Sequence, residues 1–396
     1  MDALLIRKAE IYQHHRFSRG DLLIKEGKIL KIAPHIDAKE GTPVLEAQGH
    51  KLVPGFIDVH THGGFGHDVN ASDVQDLEKI AAFFASQGTT SFNASVLTDT
   101  EEKTLWCIDQ LKAFAKEEPK GAELLGIHLE GPFLSKEYKG AMPEVLLKEG
   151  DPELLLKFQQ ASEGWISYVT VAPEVPGVAD MIDALAKDTN FAIGHSAASY
   201  EESWDAIRKG ARSSTHTFNA MKLFHQHFPA IMGAALESDI FCEAICDGRH
   251  LHPGTVRMLL KCKGPERVVA ITDSIMAAGL PDGEYKLGVN DVIVKDGDAK
   301  LPNGVRAGST LTMGQALRNL IKFTGRSLEE ILPLLTENPA ELMRVGLQEH
   351  LDQGYAKDRR KGYLLPGFDG DMVLLDEQND ILCTIVHGNI VFKKAQ

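Results

Sequence analysis

The sequence predicts an α/β fold: a (β/α)8 TIM-like barrel with a small β-sandwich domain built from both chain termini. Three observations predict it. Apolar, β-branched runs at 52–59, 89–97, 124–130, 166–172, 190–195, 213–217, 241–246 and 268–273 recur through the middle of the chain, with helical stretches between most of them. Fully apolar strands alternating with helices form a parallel sheet covered by those helices, and eight such units close into a barrel. Run after run also ends in a histidine or a carboxylate, at the face where barrels of this kind carry their chemistry. Finally, both ends of the chain read as strands without helices.

At the front, residues 3–7, 21–25, 28–32 and 42–46 alternate as short strands, with Gly27 and Gly49 between runs. At the back, 371–375 and 382–392 are strand-like, with a turn at Gly388-Asn389. Neither piece is long enough for a good core, so a composite domain of 1–51 plus 360–396 is expected beside a barrel over 52–359. Helices are expected at 73–86, 102–115, 151–160, 179–187, 200–209 and 254–261. The turns Pro281-Asp282-Gly283 and Pro302-Asn303-Gly304 predict a β-hairpin insertion near 280–306. An open, doubly wound sheet is the alternative, but no G-x-G-x-x-G follows the first strand, where a dinucleotide fold needs it.

The 396 residues, 43% hydrophobic and 25% charged, suit a globular chain. Lys and Arg total 42 against 56 Asp and Glu, a formal charge of -14, so neither nucleic acid nor an anionic membrane is an expected partner. The first residues lack a basic stretch followed by an apolar core, and no apolar run approaches a membrane span. Five scattered cysteines read as reduced thiols. A cytoplasmic location is expected.

Side chains alternate across a strand, so His60 and His62 face one point, which suits two imidazoles on one divalent ion. The third strand ends in Glu130, the fifth in His195, the sixth runs through His216 to Asn219, the seventh reaches His250, and the eighth ends in Asp273. Each has a local alternative: a lone histidine is often only hydrogen-bonded, and Glu130 or Asp273 can serve a helix or turn start. His60, His62, His195 and His216, with Glu130 and Asp273 on the same rim, are all of types that bind borderline divalent metals. A metal centre is therefore expected.

The motifs HTHGG (60–64), HLEGPF (128–133), GHS (194–196), THTFNAM (215–221), DGRHLHP (247–253), TDS (272–274) and AGSTLTM (307–313) resemble the amidohydrolase superfamily, in the branch that deacetylates N-acetyl amino-sugar 6-phosphates. The resemblance covers nearly the whole chain. It implies hydrolysis of the acetamide of N-acetyl-D-glucosamine 6-phosphate to D-glucosamine 6-phosphate and acetate, in amino-sugar catabolism and cell-wall recycling. It implies one or two divalent metals per subunit, and the ligand types accept zinc, iron, manganese or cobalt alike. Glu130, His195 and His216 match the main metal ligands, with Glu130 where many relatives use a carbamylated lysine. His60 and His62 match a second-metal pair, and Asp273 the catalytic acid/base. His250 matches a substrate contact. The backbone N–H groups of Asn219 and Ala220 match a phosphate-binding turn, which needs no net positive charge. Leu311 and Met313 match positions bordering the acetyl methyl.

Two positions depart from the branch. Gly140-Ala141-Met142 stands where relatives carry a donor after Gly-Ala, and methionine cannot donate to the substrate carbonyl. His227 stands where relatives have an arginine that crosses a dimer interface to the phosphate, so a homodimer with sites near its interface is implied. The remaining readings are the galactosamine epimer, another amide or cyclic imide, or an inactive barrel serving as a binding module.

Overall fold

The computed structural model describes residues 3–395. Its central sheet has eight strands in chain order: β1 Phe56–Thr61, β2 Thr89–Leu97, β3 Glu123–Glu130, β4 Ile166–Val171, β5 Asn190–Ile193, β6 Ala211–Ser214, β7 Phe241–Ile245 and β8 Val268–Ile271. Neighbours pair in parallel from β1 round to β8. Nearly every strand residue is buried, because one face meets helices and the other fills the barrel. Between β8 and β1 the ladder gives way to separate bonds. Thr272 donates to the buried Asp58 carboxylate from both its N–H (3.3 Å) and Oγ1 (2.5 Å). Above that, Asp273 N–H donates to His60 O (2.9 Å) and His62 N–H to Ser274 O (2.8 Å).

Among the described residues the helices of eight or more residues that cover the barrel are α1 Val74–Ser86, α2 Glu101–Ala115, α3 Pro152–Ala161, α4 Val178–Leu185, α5 Tyr200–Arg208, α6 Ala230–Glu237, α7 Pro253–Lys263 and α8 Met313–Thr324. Their starts are written locally. Asp73, Thr100 and Asp151 accept from backbone N–H groups three residues on, and Ser199 with Glu202 forms a capping box. Each cap contributes about 1 kcal/mol. In α1, Leu77, Ile80, Ala81 and Phe84 form the helical stripe facing the core. Helices α6 and α8 were not among the expected ones. α6 is buried on almost all sides and has no side-chain cap, so it lacks both an amphipathic period and a start signal.

The termini share one sheet. Its strand order is Asn389–Lys393, Ile381–Val386, Met372–Leu375, Lys51–Pro54, Ala3–Gln13, Arg16–Lys25, Lys28–Ala33, with Val44–Glu46 also beside Ala3–Gln13. Leu4, Ile6, Ile11, Leu22 and Ile24 from the front pack with Met372, Leu374 and Ile385 from the back. The first barrel strand, read from the sequence as 52–59, divides at Gly55. Leu52 and Pro54 pair with Leu374 and Met372 in the terminal sheet, and only the part from Phe56 enters the barrel. A side chain at Gly55 would come within 2.0 Å of Thr90 Oγ1, so the chain can switch sheets only at a glycine there. The expected hairpin over 280–306 is a three-stranded antiparallel sheet, Gly283–Leu287, Asn290–Lys295 and Asp298–Lys300.

A buried ionic junction joins the start of β3 to the terminal sheet. Lys361 Nζ lies 2.7 Å from Glu123 Oε2, 2.5 Å from Asp371 Oδ2 and 3.2 Å from Asp369 Oδ2. Burial pulls the ammonium pKa down, but the three carboxylates outweigh it and hold the group well above the usual lysine range. No helix among the described residues is long and apolar enough to cross a membrane.

Candidate active site

The ligand-type residues meet at the C-terminal rim of the barrel. His60 belongs to β1 and His62 follows it; Glu130 is the last residue of β3. His195, His216 and Asp273 each stand two residues beyond β5, β6 and β8. All three take positive φ, 46°, 27° and 49°, which is rare for residues with a Cβ. Such strain costs on the order of 1–3 kcal/mol per residue and persists only where surroundings enforce it. The enforcing bonds are visible: Ser135 N–H donates to His195 O (2.9 Å), His216 N–H donates to Glu243 Oε2 (2.9 Å), and Ser309 N–H donates to Asp273 O (2.7 Å).

Two ligand groups result, Glu130/His195/His216 and His60/His62/Asp273, each with its ligand atoms within 4.8 Å of one another. Glu130 touches both. Its Oε1 lies 3.1 Å from His195 Nε2, 3.2 Å from His216 Nε2 and 3.5 Å from His60 Nε2, and its Oε2 lies 3.2 Å from His62 Nε2. The opposite ring nitrogens fix the tautomers. His195 Nδ1 meets Tyr138 O (2.8 Å) and His62 Nδ1 meets Ser95 O (3.1 Å). A carbonyl only accepts, so Nδ1 carries the proton and Nε2 presents a lone pair. His195 Nε2 and His216 Nε2 stand 3.0 Å apart, and His60 Nε2 and His62 Nε2 3.3 Å apart. Lone pairs facing one another around a carboxylate fit shared divalent cations, and the chain carries a divalent-metal ligand set.

Charge follows the same logic. Burial opposes a charge on His62, yet the hydrogen bonds and charges of Asp273 and Glu130 push its pKa up to about 9. Burial likewise raises the Glu130 carboxyl, but the surrounding histidines hold it well below the usual range. The potential that retains protons here also attracts a cation, which competes for the same lone pairs. His128, from the HLEGPF motif, is no part of this set. It bonds Ser95 Oγ and Thr170 Oγ1, both at 2.8 Å, and burial pulls its pKa well down, so it is a neutral tie between strands.

A cavity of about 580 Å³ opens over the rim. His62, Glu130, His195, His216 and Asp273 line it together with Ala141, Met142, Asn219, Ala220 and His250. His250 Nδ1–H donates to Asp247 Oδ2 (2.7 Å), leaving Nε2 as an acceptor. His60 lies buried beneath and does not line the cavity.

The structure places four other expected residues as follows. Asn219 N–H already donates to His216 O (2.9 Å), so of the two turn amides only that of Ala220 is unspent. Leu311 and Met313 are core residues: Leu311 packs with Ile57, Val59 and Ile271, and Met313 opens the buried stripe of α8 with Ala316, Leu317 and Leu320. Apolar contact to the cavity comes from Leu97, Met142 and Leu287 instead. His227 lies in an exposed turn outside its own chain's cavity. Four residues went unread. Lys136, Lys139 and Arg306, beside Glu137, bring positive charge to the wall, and Glu243 stands beneath the floor. Glu243 did leave a signal, an acidic residue inside a buried strand.

The chain matches the amidohydrolase family over residues 52–391. It is 35% identical over 395 residues to the N-acetylglucosamine-6-phosphate deacetylase of Lysinibacillus sphaericus, covering 98% of this chain and 97% of that one. Among solved structures, the N-acetylglucosamine-6-phosphate deacetylase of Thermotoga maritima superposes with a TM-score of 0.86 at 34% identity, over 98% of this chain and 100% of its own. A Mycobacterium smegmatis mutant of that enzyme, in complex with N-acetyl-D-glucosamine-6-phosphate, gives 0.88 at 29% identity, over 99% and 100%. Barrel, ligand types and near-full-length likeness agree: the chain belongs to the amidohydrolase family, in its N-acetylglucosamine-6-phosphate deacetylase branch.

Proposed function

We propose that the chain hydrolyses the acetamide of N-acetyl-D-glucosamine 6-phosphate to D-glucosamine 6-phosphate and acetate, in the cytoplasm and in amino-sugar catabolism. The observation that carries this reading is the convergence of four histidine Nε2 atoms on Glu130, beside Asp273, at the floor of a cavity of small-molecule size. Glu130, His195 and His216 would hold one divalent cation, and His60, His62 and Asp273 a second; zinc, iron, manganese and cobalt all suit these donors. Bound there, the cation supplies Lewis acidity toward the amide carbonyl and acidifies water.

The protein's own part is proton handling and orientation. Asp273 is buried, which raises its carboxyl, yet the contact with His62 Nε2 and the charges of His60 and His62 when protonated hold it below the usual range. It is thus a ready base. As water oxygen bonds the acetamide carbon, Asp273 takes the water proton; as the C–N bond breaks, it passes that proton to the leaving nitrogen. His250 Nε2 accepts from a sugar hydroxyl, and the Ala220 N–H with Lys136 and Lys139 faces the phosphate. Met142 adds no donor to the carbonyl oxygen, an omission that costs about 3 kcal/mol in barrier where such donors have been removed.

Chelation is expected to abolish amine release, and added divalent metal to restore it. The decisive assay compares the 6-phosphates of N-acetylglucosamine and N-acetylgalactosamine. Turnover of neither sinks the reading, and preference for the second assigns the epimer.

We further propose a homodimer in which His227 of the second copy completes the phosphate site, since that side chain is exposed in its own chain. His227→Arg is expected to lower KM for the phosphorylated sugar and leave KM for the unphosphorylated one unchanged, because a guanidinium fork gains a bidentate contact only with phosphate. Equal changes for both sugars would remove His227 from phosphate recognition. The same reading takes residues 1–51 with 360–396 as a composite unit beside the 52–359 barrel, with the front boundary moved to Pro54.

A further inference from the structure

Glu243 sits in mid-β7, fully buried, and among the described residues no lysine or arginine is paired to it. Its Oε1 accepts from Tyr168 Oη (2.7 Å). Its Oε2 accepts twice, from His60 Nδ1 (3.1 Å) and from the backbone N–H of His216 (2.9 Å). One oxygen atom therefore touches a member of each ligand group. A buried carboxylate balanced by an imidazole and not by a lysine or arginine is costly, and a neutral side chain would fill the same space more cheaply. Something else must hold it there.

We propose that Glu243 is a positioning residue that sets the affinity of the His60/His62/Asp273 group for its ion and braces His216. The proposal rests on the reading of the two ligand groups as ion sites. The carboxylate only accepts, so His60 Nδ1 carries the proton and Nε2 is left as the lone pair facing His62, Glu130 and Asp273. The four histidines are unequal in this respect. His62 and His195 lean on neutral carbonyls, and His216 Nδ1 is buried without a partner. Only His60 leans on a carboxylate, and a carboxylate behind an imidazole raises the basicity of the ligating nitrogen. His60 is thereby the strongest nitrogen donor of the four. The same Oε2 anchors the His216 N–H, at a residue whose φ of 27° needs an outside restraint.

Glu243→Gln separates charge from shape. Its amide oxygen can still accept from His60 and His216, while its NH2 meets Tyr168 Oη, which can turn its proton to Ser213 Oγ, 2.5 Å away. Geometry survives and the charge is lost. In equilibrium dialysis against Zn²⁺ with elemental analysis, we expect wild type to bind two ions. In Glu243→Gln the weaker should lose about 10–100-fold in affinity, with the other nearly unchanged. Added to His60→Ala, Glu243→Gln should change little, because its effect runs through His60. Should Glu243→Gln fail to fold, Tyr168→Phe removes one of the three donors and should weaken the same ion by a smaller factor. Two ions held with wild-type affinity in Glu243→Gln, equal weakening of both in a folded protein, or no shift in Tyr168→Phe would overturn the proposal alone. A wild type that binds only one ion would overturn the two-site reading and the proposal together.

Discussion

Asp273→Asn is expected to lower kcat by about 10²–10⁴-fold, the range that a positioned acid/base contributes. Asparagine has nearly the shape of aspartate but can neither take the water proton nor return it to the leaving nitrogen, and an amine leaves poorly without one. The backbone bonds at this residue, to His60 O and from Ser309 N–H, do not involve its side chain and should survive. The Glu130/His195/His216 group does not include Asp273, so one ion should remain. Steady-state kinetics beside elemental analysis checks both halves. A folded Asp273→Asn protein with more than a tenth of wild-type kcat would remove the residue from the chemistry. Loss of all metal would make it a ligand first and a base second.

Lys361→Met is expected to cost on the order of 3–5 kcal/mol of stability, the usual penalty for removing one partner of a buried charge pair. The lysine is the hub between Glu123, Asp369 and Asp371. Without it, Arg359 and His387 still meet Glu123, and Lys28 still meets Asp369 from the surface, but Asp371 keeps only the backbone N–H of His387. Burial of unpaired carboxylates is what the fold cannot absorb. Urea unfolding reads the effect directly. The junction lies at the start of β3, the end away from the rim, so kcat of the folded variant should stay at the wild-type value. A stability change under about 0.5 kcal/mol would mean that water or protonation already relieves the cluster.

Much of the barrel is legible in the sequence because its buried runs recur in order, with helical stretches between most of them. Strand ends are less so, for a reason visible at His195 and His216. Both sit in apolar runs that read as strand through 195 and 217, yet the ladder stops at Ile193 and Ser214. Positive φ takes the chain out of the β region there, and composition carries no trace of that turn. The ligand types at the rim could be read because alternation and strand polarity say where they must point. The partners of Glu243 and His128 could not, since they lie on other strands far along the chain. Leu311 and Met313 were drawn to the cavity by a motif, whereas the helical period of α8 turns Met313 inward with Leu317 and Leu320. His227 shows the limit from the other side: whatever meets an exposed turn is not written in one chain.

The gap between β8 and β1 gives the rim a mechanical meaning. Everywhere else the barrel wall is continuous ladder; at this joint it is closed by Asp58 below and by the backbones of His60, His62, Asp273 and Ser274 above. A cation held by His60, His62 and Asp273 would tie the two sides of that joint together. Loading the site would then lock the wall as well as arm the chemistry.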